Sequence, residues 1–270
     1  MWEAMRQIEE IVHMIPLGHE IDRAIKPFDS SKANRVYLFV VRDRVKYSDE
    51  MIDKQEFFLD KVIHHLDERK IKYDIVDVDM FDILEVIRCI SSKIVEEKTK
   101  NNLVYVNMSA CGRLTSIAAT LSAMTHKVPV YYVSADNYSL NEGDLQEHGI
   151  SICKTEKISI LNNFEITLPD YVGIQILIQL CEKDRSAKEL RAFLRKNKVE
   201  GFTKDFENVS HDQQRVELIK ELMILDKRYL TKLEDKSYVL RRKTGREIAV
   251  SITDSGRYVA YISGLMPNTT

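Results

Sequence analysis

Over its first half this chain alternates short, β-branched apolar runs with longer amphipathic ones, and few folds satisfy that alternation. IVHMI (11–15), RVYLFVV (35–41), YDIVDVDM (73–80), LVYVNMS (103–109) and VPVYYVS (128–134) read as strands, most of them apolar enough to be buried on both faces of a parallel sheet. Between them, HEIDRAIKPF reads as a short helix, and residues 49–70 repeat apolar positions at Ile52, Phe57, Leu59, Val62, Ile63 and Leu66, which is helical spacing. Residues 81–97 and 114–126 read as two further helices, the second rich in small residues. Strands joined by helices of this length call for right-handed crossovers, and therefore for a parallel sheet with helices on both faces. The expected fold class is α/β, with a Rossmann-like domain over residues 1–165. In such sheets ligands sit beyond the carboxyl ends of the strands, here the loops after Ile15, Val41 and Ser109.

From 141 to 166 the pattern weakens to two strand-like runs, ISICKT and ISILNNFEI, read as a hairpin leading to a domain boundary near Thr167. Beyond it, Asp170 can cap a helix over 170–183. Ser186, with Glu189 in capping-box spacing, opens another over 186–197, and Ser210 can cap a third over 211–228. A β-hairpin carrying Arg241, Arg242, Lys243 and Arg246 around Gly245, and a closing helix, complete the pattern of a winged helix-turn-helix over residues 167–270. The first turn of the third helix, His211, Asp212, Gln213, Gln214 and Arg215, is polar throughout. Gln can read adenine and Arg guanine in a major groove, while wing cations grip phosphate. A plain solvated helix start is the alternative for that turn. Duplex DNA is the expected partner, with Ser210, His211, Gln213, Gln214, Arg215, Arg241, Arg242, Lys243 and Arg246 as contact candidates.

Charge divides the chain along the same boundary. Residues 1–165 hold 21 Lys and Arg against 27 Asp and Glu, whereas residues 166–270 hold 19 against 15. A basic half beside an acidic one is expected where only one domain meets a polyanion. The 270 residues suit two cores, and the four cysteines are widely spaced with no CxxC pair, which fits a reducing cytoplasm and points to neither a metal site nor disulfides. No apolar run approaches the roughly 18 residues of a membrane span, and the acidic N-terminus is unlike a signal peptide.

Two segments carry the candidate ligand chemistry. In LVYVNMSACGRLTSIAATL, the small residues Ser109, Ala110, Cys111 and Gly112 let backbone approach a ligand, and the helix that follows presents free N–H groups beside Arg113. This loop is neither GxGxxG nor a P-loop, so no cofactor is implied, and an ordinary tight turn is the alternative. In IPLGHEIDR, Gly18 frees a turn and His19, Glu20 and Arg23 supply polar groups that would lie beside the other loop; His19 and Glu20 could equally be a helix-capping pair. Arg42 lies on the same edge. Catalytic signals are weak: Asp74, Asp77 and Asp79 have no third ligand at motif spacing, and Cys111, near a helix start, has no base partner in the sequence.

A Rossmann-like domain with a small-residue loop after its fourth strand, followed by a winged helix, resembles the CARF (CRISPR-associated Rossmann fold) transcriptional regulators of archaea. In many CARF proteins the loop reads approximately Asn-x-Thr-Gly-Gly-Thr-Lys, and here the matching positions are Asn107, Met108, Ser109, Ala110, Cys111, Gly112 and Arg113, followed by Leu114 and Thr115. The Asn, the hydroxyl and the final cation are kept; the paired glycines are not. The resemblance implies a homodimer with a nucleotide-type effector, typically cyclic oligoadenylate, in a cleft across the two-fold axis. The candidate ligand residues, read from the strand-end loops, are Gly18, His19, Glu20, Arg23, Arg42, Asn107, Ser109, Ala110, Cys111, Gly112, Arg113 and Thr115. Three functions are expected to compete: a ligand-responsive DNA-binding regulator, a ring nuclease that degrades cyclic oligoadenylate, and a scaffold whose winged helix binds protein.

Overall fold

A computed structural model describes residues 9–155, 157–203, 211–244 and 247–267. The chain divides after Ile166 into two compact units. The first is built on β1 (Ile11–Pro16), the short α1 (Asp22–Ile25), β2 (Arg35–Val40), α2 (Asp49–Glu68), β3 (Lys72–Asp77), α3 (Ile83–Thr99), β4 (Leu103–Asn107), α4 (Arg113–Thr125) and β5 (Val130–Val133). These are followed by β6 (Asn137–Tyr138), α5 (Glu142–His148), β7 (Ser151–Ile152) and β8 (Ile158–Leu161). The six-stranded sheet runs β3-β2-β1-β4-β5-β8, with all pairings parallel except the last. The expected α/β class is therefore what the chain adopts.

The pleat decides which helices each strand meets. Val36, Leu38 and Val40 of β2 join Phe58, Leu59, Val62 and Leu66 of α2 in one core, while α3 and α4 pack on each other and on β4. Ser48 caps α2 by accepting from the Met51 amide, and Asp82 caps α3 by accepting from the amides of Leu84 and Glu85. The order reverses between β1 and β4, so the loops after these strands face each other at the carboxyl edge.

The two runs between 151 and 161 do not form the expected hairpin. β7 pairs with β6, and β8 adds antiparallel to the edge of β5. The parallel sheet leaves the outer edge of β5 unpaired, and Ile158–Leu161 fills that ladder. The β6–α5–β7 excursion instead folds back on the β1–α1 loop: the Ile150 amide donates to His19 O at 2.9 Å, and Glu20 bridges Gly149.

The second unit contains α6 (Tyr171–Glu182), β9 (Arg185–Ser186), α7 (Ala187–Lys196) and α8 (His211–Ile224). A π-helical turn, Leu225–Leu230, carries α8 directly into α9 (Thr231–Asp235), and β10 (Val239–Thr244), β11 (Glu247–Ile252) and α10 (Asp254–Ile262) follow. Asp170 caps α6, and Ser186 with Glu189 forms the complete capping box. The wing is the β10–β11 pair with β9 on its inner edge. Its core gathers Ile176, Leu177, Leu180, Leu190, Leu194, Phe202, Leu225 and Val250. Among the described residues no helix is long and apolar enough to cross a membrane, and no group of three or more His, Cys, Asp or Glu could hold a metal.

A candidate ligand site and a candidate nucleic-acid interface

At the carboxyl edge of the sheet lies a cavity of about 420 Å³. The β1–α1 loop contributes Gly18, His19 and Glu20; the β4–α4 loop and first turn of α4 contribute Cys111, Gly112, Arg113, Leu114 and Thr115. Gly112 is the N-cap residue of α4 and supplies no side-chain cap, and a Cβ built on it meets nothing within 4 Å. The first amides of α4 thus open toward the cavity with the positive end of the helix dipole behind them. Arg113 beside them is exposed and makes no ion pair among the described residues. His19 stacks on Phe58 with ring centroids 5.0 Å apart, and burial with nearby Lys54 lowers its pKa, so a neutral imidazole faces the cavity at neutral pH.

Beneath this floor lies a buried polar layer that the sequence reading assigned to the ligand. Asn107 donates from Nδ2 to Arg23 O at 2.8 Å and accepts at Oδ1 from the Ser109 amide and hydroxyl at 2.9 and 2.6 Å. Ser109 Oγ in turn accepts from the Val133 amide at 3.1 Å. Arg23 reaches Tyr132 Oη at 3.0 Å and Ser109 O at 3.3 Å, and Ala110 is fully buried with its carbonyl accepting from the Gly18 amide. Arg23, Asn107, Ser109 and Ala110 therefore brace the loops and line no part of the cavity. Buried polar groups need partners, and here most find one another, the Arg23 Nε being the atom of this layer left without one.

Glu20 does not cap α1, whose start has no side-chain cap. Its carboxylate accepts from the Ser151 amide at 3.0 Å and hydroxyl at 2.8 Å, which ties β7 to the site, while burial raises its pKa. Arg42 lies outside the cavity, exposed, its amide donating to Asp77 Oδ1. Arg44 is spent on Asp49, Asp53 and Glu56 of α2, and Asp79 is held by Lys46 and by Tyr47 Oη at 2.6 Å. The sequence reading missed Met80, Phe81 and Ile150 in the cavity wall. Phe81 follows β3 at the same carboxyl edge, so the strand-end rule could have found it; Ile150 arrives only through the β6–α5–β7 return.

Cys111 is not poised as a nucleophile. Burial, with a contribution from Glu20, pushes its thiol up to about 12, leaving almost no thiolate at neutral pH. At pH 8 the native protein is expected to leave Cys111 unmodified by iodoacetamide over a period that fully alkylates the urea-unfolded chain. Peptide mapping of Cys111 checks this, and rapid native alkylation would contradict it.

In the second unit, the exposed groups at the start of α8 are Asp212, Gln213 and Arg215, with Gln214 half-buried. Ser210 and Arg246 lie outside the described residues, as does the side chain of His211. Arg241 differs from its expected role. Its guanidinium pairs with Asp226 and Glu234, the Nε–Oε2 distance to Glu234 being 2.7 Å, so it braces the wing against the long helix. It sits opposite the fully buried Val250, on the inner face of the hairpin, whereas Arg242 and Lys243 are exposed.

The chain is thus a two-domain protein, a Rossmann-like sheet with a carboxyl-edge cavity joined to a winged helix. Residues 11–138 match the family described as HFX_2341_N-like, N-terminal, and residues 172–264 match the DUF6293 C-terminal winged helix domain. The chain is 25% identical over 140 residues to the uncharacterized protein MJ1513 of Methanocaldococcus jannaschii, an alignment covering 49% of this chain and 40% of that relative. Solved structures with a similar trace include Enterococcus italicus Csm6 bound to cyclic hexa-2'-fluoro-hexa-dAMP, at 15% identity and TM-score 0.41, covering 84% of this chain and 58% of that one. Another is Can2 from Sulfobacillus thermosulfidooxidans in complex with cyclic tetra-adenylate, at 11% identity and TM-score 0.37, covering 94% and 63%. The chain spans less than two thirds of the length of each of these proteins.

Proposed function

We propose that this chain is a ligand-responsive DNA-binding regulator whose Rossmann-like domain takes a nucleotide-type effector and whose winged helix grips duplex DNA. The observation that carries the reading is the cavity at the β1/β4 switch point. It combines an uncapped helix start and Arg113, suited to a phosphate, with His19 and the apolar surface of Phe81, Leu114 and Ile150, suited to a base. Of the Asn, hydroxyl and terminal cation that the loop shares with the CARF pattern, the first two shape the loop from beneath and Arg113 lines the cavity, which makes cyclic oligoadenylate the first ligand class to test. Cys111, standing where that pattern has glycine, narrows the approach to the α4 start. Leu114 and Phe81 of the cavity wall are exposed, as is Ile117 further along α4, and a second copy across a two-fold axis would cover them. Gln213 and Arg215 would read bases, while Arg242 and Lys243 would grip phosphate.

The effector acts by linkage: it shifts DNA affinity by its differential affinity for two arrangements of the protein. The test is calorimetric titration with mono-, di- and cyclic oligoadenylates, alongside duplex-DNA binding over a salt series. Arg113→Ala is expected to weaken the bound nucleotide by about ten- to a hundred-fold, the loss of a charge-assisted contact. Arg242→Ala with Lys243→Ala is expected to lower the salt slope of DNA binding by about 2, one per lost phosphate contact. Chromatography of the recovered ligand shows whether it stays intact. Failure of every nucleotide to bind, together with salt-independent association with DNA, would sink the reading.

A further inference from the structure

On its inner side α8 buries Glu221, and the π-helical turn that continues it buries Leu225 and Tyr229. Its outer face carries a second apolar row. Val216, Ile219 and Met223 are 50%, 51% and 50% exposed, and the row ends on an exposed acid, Asp212, and an exposed base, Lys227. At 100° per residue Asp212, Val216, Ile219 and Met223 fall within an arc of about 60°, and Lys227 follows them in the π-helical turn that continues the helix. Neither Asp212 nor Lys227 makes an ion pair among the described residues. A helix that only reads DNA has no need of three half-exposed apolar side chains in a row; water or phosphate would meet them at a cost.

We infer that this face pairs with the same face of a second copy, the two α8 helices running antiparallel. The row decides its own occupant because it is self-complementary under a two-fold axis and under no parallel arrangement. At a rise of 1.5 Å per residue Asp212 stands roughly 11 Å to one side of the point between Ile219 and Lys220, and Lys227, in the more tightly stacked π-helical turn, stands about as far to the other. Rotation about that point sets Asp212 against Lys227 of the second copy twice over and lays Val216 against Met223 of the second copy, with both Ile219 side chains beside the axis. A parallel pair would set acid on acid and base on base, which is destabilising. Contact is thus apolar at the centre and charge-matched at both ends, as in a short antiparallel coiled coil.

The pairing stands independently of the DNA reading, but its consequence rests on it. Two α8 helices locked face to face cannot both enter major grooves about one helical turn, roughly 34 Å, apart. The paired form is a DNA-excluded state of the full-length protein.

The experiment places single cysteines in the full chain and treats it with a short bis-maleimide, using wild-type protein to set the background from its native cysteines. Ile219→Cys, beside the axis, is expected to give at least about five-fold more cross-linked dimer than Ser255→Cys on α10, as an interface position should. Adding Asp212→Lys should cut that yield about three-fold or more, and Asp212→Lys with Lys227→Asp should restore it, because a charge pair is recovered only when both partners are reversed. Equal cross-linking at the two positions, or no restoration by the double reversal, overturns the antiparallel pairing; all four substitutions are on exposed positions, so folding is preserved. Saturating duplex DNA should suppress the Ile219→Cys cross-link. Cross-linking that obeys the charge reversal yet ignores DNA supports the pairing while counting against α8 as the DNA-reading helix.

Discussion

Replacing Glu97 with alanine is expected to cost the first unit about 3 kcal/mol or more of unfolding free energy, the usual penalty for stranding the partners of a buried ion pair. Glu97, at the end of α3, is fully buried at the edge of the sheet opposite the cavity. Its carboxylate accepts from Arg35 Nη2 at 2.7 Å, Asn102 Nδ2 at 2.7 Å, Tyr37 Oη at 2.8 Å and Lys100 Nζ at 3.0 Å. Removal leaves the Tyr37 hydroxyl and the Asn102 Nδ2 without an acceptor, and Arg35 with Glu10 and Asp74 as its carboxylate partners, at 3.1 and 3.5 Å, beside its 2.8 Å bond to Tyr37 Oη. The network ties α3 to β2 and to the start of β4, so its loss frees the ends of the central strands. Burial alone would raise the Glu97 pKa, but the four donors outweigh it and hold the carboxyl below its ordinary value. Because the folded-state pKa is the lower one, the stabilisation is fully present above the unfolded value near 4.5 and is lost as pH falls through the folded value. Urea unfolding of wild type and Glu97→Ala should therefore differ at pH 7 and converge toward acid pH. A constant difference across that range would mean that packing, not charge, carries the effect.

Gly149→Ala should damage both stability and ligand binding. Gly149 has φ +81°, and a Cβ there would lie 2.5 Å from the Ile21 amide nitrogen and 2.7 Å from Glu20 Cα. Both contacts are to backbone, so no side chain can swing aside. The strand-like contact between Glu20 and Gly149 would have to open, taking with it the 2.9 Å bond from the Ile150 amide to His19 O and the Ser151 bonds to Glu20. A cost of about 3 kcal/mol, from strain plus lost hydrogen bonds, corresponds to a fall of about 6–12 °C in the melting temperature of a unit this size. Since Ile150, His19 and Glu20 all line the cavity, the nucleotide proposed to bind there should weaken in parallel. A variant that melts as wild type would show that the α5–β7 return is not seated on the β1–α1 loop.

Legibility in the sequence followed the range of the interactions concerned. The five parallel strands, the helices between them and the capping box at Ser186 and Glu189 were readable because each rests on a local period or a fixed short spacing. Gly112, Arg113 and Thr115 were readable as cavity positions because a strand followed by small residues and a helix places them at a carboxyl edge. Arg23, Asn107 and Ser109 looked equally functional, since polarity beside a turn of small residues does not say whether a side chain points outward. Only the long-range bonds to Tyr132 and Val133 turn them into internal bracing.

The same division separates what the chain dictates by itself from what the packed molecule decides. Period, caps and charge order set the two domains, the parallel sheet, the winged helix and the acidic–basic split. Tertiary structure decided that β8 joins the main sheet, that Arg241 is consumed by Asp226 and Glu234, that Ile150 completes the cavity, and that Val216, Ile219 and Met223 are left outward. Local sequence fixes the backbone period of each element, but a side chain's role depends on which distant groups share its burial, and those meet only once the fold has closed.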